Sequence, residues 1–231
     1  MVLPRALGRR SLRETTLIAS FPELAPRDAV ALVRAARLYQ DAIWIAESEP
    51  NLSWVMFVSA IETAAGHWRS AADPPVDRLK ASKPDLARLL EEAGGEELAL
   101  KVANQISDYM GATKKFVDFA LEFMPEPPIQ RPSESFQHPW EQRVMKESLR
   151  KIYDWRSRAL HSGTPFPFPM CEPPYRDGNE FAEKPMGLAT MAGSAVWVIK
   201  DTPMLLHTFE YIVRHVLLKW WEAMLPNAKR A

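Results

Sequence analysis

Proline divides this chain into lengths that suit helices of moderate size. Twenty prolines but only nine glycines are spread over 231 residues, and the prolines fall between apolar patterns of helical period rather than inside them. A proline in a helix interior costs about 3 kcal/mol, because its N–H is missing and its ring clashes with the preceding turn. Each proline therefore marks a boundary. Pro26 suits the first turn of a helix whose apolar face is Val30, Val33, Ala36, Leu38, Ala42 and Ile45. Pro50 breaks that helix and opens a second, carrying Leu52, Val55, Met56, Ile61 and Ala65 up to Gly66.

The same logic covers the rest of the chain. Leu79 to Ala93 reads as one or two short helices ended by Gly94-Gly95, and Glu96 to Met110 as an amphipathic helix closed by Gly111. Thr113 is the expected N-cap for Lys114 to Met124, with Phe116, Phe119, Ala120 and Phe123 on one face. Residues 125–138 hold four prolines and form a loop. Pro139 to Ser162 is a long helix that stops at Gly163, a residue suited to the left-handed turn past a helix end.

Residues 164–202 break the pattern. Phe166-Pro167-Phe168-Pro169 opens an irregular crossover, and Ala195 to Ile199 has the pattern of a short strand. A strongly apolar helix, Pro203 to Leu225, follows. There is no internal repeat. The expected fold class is all-α: a helical bundle with a long irregular insertion, 164–202, before its last helix. Residues 1–25 form an N-terminal arm and 26–231 one domain.

Composition narrows the function classes. With 47% hydrophobic residues, global disorder is excluded, and 29 Lys+Arg against 29 Asp+Glu remove the crudest argument for a nucleic-acid binder while allowing a local basic patch. The single cysteine, Cys171, can form neither an intrachain disulfide nor a Cys-rich zinc site, and its proline-rich loop suggests an inert thiol. No stretch approaches the ~20 apolar residues needed to span a bilayer. Arg5, Arg9, Arg10 and Arg13 are not followed by an apolar segment, so no secretory signal is expected and the expected location is the cytoplasm. Glycine-rich phosphate loops, His-Glu-x-x-His, Gly-x-Ser-x-Gly and a Glu-x-x-His pair are all absent. His207 and His215 stand too far apart to share a metal, and His67 suits a helix cap or the surface.

What remains is the stretch from Tyr153 to Gly163. Met145, Leu149, Ile152 and Ala159 form the apolar stripe of its helix, and Arg156 falls inside that stripe. A guanidinium is rarely buried without a partner. Either a carboxylate from another helix meets it, or the stripe opens there onto a groove or a second subunit. His161 lies in the last turn, where the helix dipole favours an imidazolium. Ideal geometry puts the two about 140° apart around the axis and about 7.5 Å apart along it. One helix alone does not unite them, whereas two copies about a two-fold axis do. A decoy, Arg131 and His138, stands in a loop without helical geometry.

Arg-x4-His at the end of a late helix, with Tyr153 ahead and Gly163 behind, resembles the signature of the HEPN superfamily of helical bundles, and within it the ApeA-like branch. Leu38-Tyr39, Ala60-Ile61-Glu62 and Gly111-Ala112-Thr113-Lys114-Lys115-Phe116 extend the resemblance over much of residues 28–163; the insertion matches nothing. The resemblance implies a metal-independent endoribonuclease without cofactor. It would work as a homodimer on RNA, single-stranded by expectation, in a toxin or phage-defence setting with a possible silencing partner protein. His161 would be the general acid or base acting on the 2′-hydroxyl or the leaving oxygen. Arg156 would clamp the scissile phosphate. Ser157, the third catalytic candidate, stands where members often carry Asn, Asp or His and still offers a hydroxyl. Glu62 is nominated to orient Arg156, Tyr153 to support it by packing, and Arg158, Lys114 and Lys115 to contact RNA. The same residues also allow two other functions. One is a non-catalytic nucleotide-, RNA- or protein-binding module, and the other a structural dimerisation protein in which Arg156 is a paired core residue.

Overall fold

The computed structural model describes residues 1–6, 15–68, 74–106, 111–187, 189–192 and 195–226. Helices dominate: α1 (Thr16–Ala19), α2 (Pro26–Ile45), α3 (Pro50–His67), α4 (Pro75–Ser82), α5 (Pro84–Ile106), α6 (Ala112–Glu122), α7 (Gln142–Ser162) and α8 (Leu206–Met224). Two small antiparallel hairpins precede α8, pairing β1 (Arg176–Asp177) with β2 (Glu180–Phe181) and β3 (Ala189–Ala192) with β4 (Ala195–Val198). The fold is all-α, and the insertion carries its only β-structure among the described residues.

The central element is α3, which packs against α2, α6, α7 and α8. Its composition explains the position. Trp54, Phe57, Val58, Ala60, Ile61, Ala64 and Ala65 are all buried, so apolar residues cover most of its circumference, as in a helix enclosed by others. Ser53 is buried too, and its hydroxyl donates to the Ala42 carbonyl at 2.8 Å. The Trp54 indole stacks between Phe166 and Phe209, with centroids 5.1 and 4.9 Å away, and donates to the Met170 carbonyl. The beginning of the insertion is thereby part of the core. Leu79, Ala87 and Ala103 form a separate small cluster between α4 and α5.

Helix ends differ from the sequence expectations in instructive ways. The first turn of α6 is Ala112, not Lys114. Gly111 occupies its N-cap with φ +82°, and Thr113 is inside the helix rather than capping it. Helix α7 begins at Gln142, because Pro139 and Trp140 are held in the preceding loop, where the Trp140 indole donates to the Pro125 carbonyl. The α5 backbone leaves helical geometry at Gly94 and Gly95, the predicted break. Gly163 ends α7 with φ +66°, and its own N–H and that of Thr164 both return to the Arg158 carbonyl, satisfying a carbonyl that the helix end frees. The final helix starts at Leu206, three residues past the expected Pro203. Met110 and Arg9, Arg10 and Arg13 lie outside the described residues.

A buried polar clasp fastens the insertion to the bundle. Glu183 accepts Arg131 in a bidentate pair (Nε 2.8 Å, Nη2 2.6 Å) and also the His138 backbone N–H. Arg131 further donates to the His138 carbonyl, and His138 Nδ1 donates to the Pro203 carbonyl at 3.0 Å. His207 Nε2 donates to the Ala182 carbonyl, and Thr208 Oγ1 to the Glu183 carbonyl. The decoy pair Arg131 and His138 is thus structural. At the other terminus Val2 and Leu3 are buried in the main core, and their backbone N–H groups donate to Glu47.

Candidate functional site

The stripe of α7 explains where Arg156 goes. Met145, Leu149, Ile152 and Tyr153 are buried against the bundle, and the next turn brings Arg156 round to α3. There its Nη2 donates to Glu62 Oε2, while the Tyr153 hydroxyl donates to Oε1 of the same carboxylate at 2.8 Å. Of the two environments open to Arg156, the carboxylate of another helix is the one it has. The guanidinium also sits 5.6 Å from the centre of the Tyr153 ring, within cation–π range. Burial, followed by the hydrogen bond to Glu62, pushes the Tyr153 phenol up to about 12, so it donates rather than ionises at neutral pH.

The guanidinium is not fully satisfied. Its Nε–H is buried with no partner among the described residues. The Arg156 and Glu62 side chains keep 18% and 21% of their surfaces in water, so the pair sits at the lip of the bundle. Its surroundings are half dry.

His161 is elsewhere. It lies in the last turn of α7 but is exposed and makes no hydrogen bond within the described residues. Within one chain the helix keeps it apart from Arg156, as the spacing predicted. Ser157 is partly buried beside Arg156 in the sequence. Arg158 is exposed and stacks on the Trp155 ring at 4.7 Å. Lys114 and Lys115 are exposed on α6, and Lys114 pairs with Asp118 one turn on. Leu160, beside His161, and Phe168, in the following loop, are each about half exposed.

The remaining histidines are more varied than the sequence suggested. Desolvation lowers His138 and His207 to about 4, which makes both neutral hydrogen-bonding core residues. His67 is neither a cap nor a plain surface residue: its Nε2 lies 2.6 Å from Asp28 Oδ1, where the start of α2 meets the end of α3. Nothing in the sequence pairs those two positions, which stand 39 apart. Cys171 is buried and its thiol is pushed up to about 12 by desolvation.

Among the described residues no group of three or more His, Cys, Asp or Glu side chains converges as a metal site, and no helix is long and apolar enough to cross a membrane. No family model, curated protein or solved structure matches the chain.

Proposed function

We propose that this chain is a metal-independent endoribonuclease of HEPN type that works as a homodimer. The observation that carries the proposal is the state of Arg156. Glu62 and Tyr153 hold it on a surface-reaching edge of the core, with 18% of its side-chain surface still in water. A guanidinium fixed in this way loses little further freedom when it binds a phosphate, and the N–H groups that Glu62 and burial leave open suit charge-assisted hydrogen bonds to phosphate oxygens. His161 supplies the second requirement. It is exposed at a helix end, able to reach a substrate held partly by a second copy. Leu160 and Phe168 offer apolar surface for that pairing. Cleavage would proceed by attack of the RNA 2′-hydroxyl on its own phosphate, with His161 from one or both chains moving the proton.

One observation favours a non-catalytic role instead. Glu62 already neutralises Arg156 within the protomer, as in a module that pairs through helices or binds a nucleotide without cleaving it. The two are separated by incubating the protein with single-stranded RNA in excess EDTA, beside His161→Ala. Cleavage by the wild type alone, leaving cyclic phosphate ends and intact DNA, is the expected result. Cleavage by both or by neither overturns the proposal, and a two-fold dimer without cleavage supports the binding module.

A further inference from the structure

A cavity of about 770 Å³ opens where the start of α2, the end of α3 and the end of α8 come together, within the size range of small-molecule sites. Asp28 and His67 lie in its wall, with Trp68, Trp220 and Met224 as its apolar lining. It is on another face of α3 from Glu62, about 140° round an ideal helix. None of its polar side chains, Arg27, Asp28 and His67, belongs to the site described above.

The polar group this cavity leaves open is a carboxylate oxygen. His67 Nε2 lies 2.6 Å from Asp28 Oδ1 and donates to it, so that oxygen is taken. Asp28 Oδ2 is a second acceptor with no partner among the described residues. Two helices, α3 and α8, end at the cavity, and helix C-termini present carbonyl oxygens and partial negative charge. The positive start of α2 already has Asp28 in its first turn. Arg27 is exposed at the rim, where water and salt screen it. Indoles complete the picture, since tryptophan is the best aromatic partner for a cation.

We propose that this cavity binds a small planar organic cation, an amidinium or aryl-ammonium, whose N–H groups donate to Asp28 Oδ2 while its flat body packs among Trp68, Trp220 and Met224. The site is independent of the ribonuclease proposal. Three nearly isosteric probes test it: benzamidine, benzamide and benzoate, titrated while the indole N–H resonances of Trp68 and Trp220 are followed by NMR. Benzamidine is expected to shift both and to bind at least about tenfold tighter than benzamide, with benzoate not binding. Asp28→Asn should bring the benzamidine-to-benzamide ratio close to one. Ala223→Glu, on the exposed rim, should tighten benzamidine about threefold, and keeps the test decisive if Asp28→Asn does not fold. Equal binding of benzamide or benzoate, no shift with benzamidine at millimolar concentration, or an unchanged affinity in Ala223→Glu overturns the proposal.

Discussion

Tyr153 and Arg156, three residues apart on α7, bind the two oxygens of one carboxylate, Glu62 on α3. The spacing puts both on the same face of their helix, so a single acid on the neighbouring helix serves them together. This fastens α7 to α3 by polar contacts just where the apolar stripe gives out.

Removing the cation strands the acid. Arg156→Met is expected to destabilise the fold by about 2–3 kcal/mol, less than for a fully buried pair because both side chains retain contact with water. Tyr153→Phe should cost about 1 kcal/mol. Adding Glu62→Gln to Arg156→Met should recover part of the loss. Urea unfolding of the wild type, these three variants and Glu62→Gln alone checks this, and strictly additive losses of Arg156→Met and Glu62→Gln would show that the pair is not coupled.

Acid should loosen the insertion. His138 and His207 titrate near 4 in the folded chain, held down by desolvation, against about 6.5 when unfolded. Between those values the unfolded state binds more protons. Stability is therefore complete above pH ~6.5 and falls as pH drops toward ~4, by at most on the order of 3 kcal/mol for each histidine. Unfolding midpoints at several pH values should fall over this window for the wild type and fall less for His207→Gln, which keeps an N–H donor but cannot titrate.

Cys171 should be inert until the protein opens. With its thiol at about 12, the thiolate fraction near neutral pH is roughly 10³-fold below that of a free cysteine. Labelling by a disulfide reagent should be correspondingly slow in the native protein and rapid in denaturant. Fast labelling of folded protein would contradict the burial.

Gly163 should resist substitution. Its φ of +66° is in the left-handed region, and Gly163→Ala is expected to cost about 1 kcal/mol, with Asn better tolerated. A Cβ there meets no heavy atom within 4 Å, so thermal denaturation of the alanine variant reads backbone strain rather than a clash.

What the sequence determined by itself was the local pattern. Helical periodicity and proline boundaries identified the long helices, the break at Gly94-Gly95 and the stop at Gly163, because these depend on backbone sterics within a few residues. The all-α class follows from them. Arg156 was recognisable as a charge out of place, since its neighbours on the stripe are apolar. Only the tertiary structure decided what meets that charge, for Glu62 stands 94 residues away and lies on a helix too apolar to have an obvious polar face. The same holds for the Glu183 clasp, for Trp54 between Phe166 and Phe209, and for Asp28 beside His67. Each joins distant segments through packing that periodicity cannot register, because a helix pattern tells which side of a segment is buried but not which segment covers it.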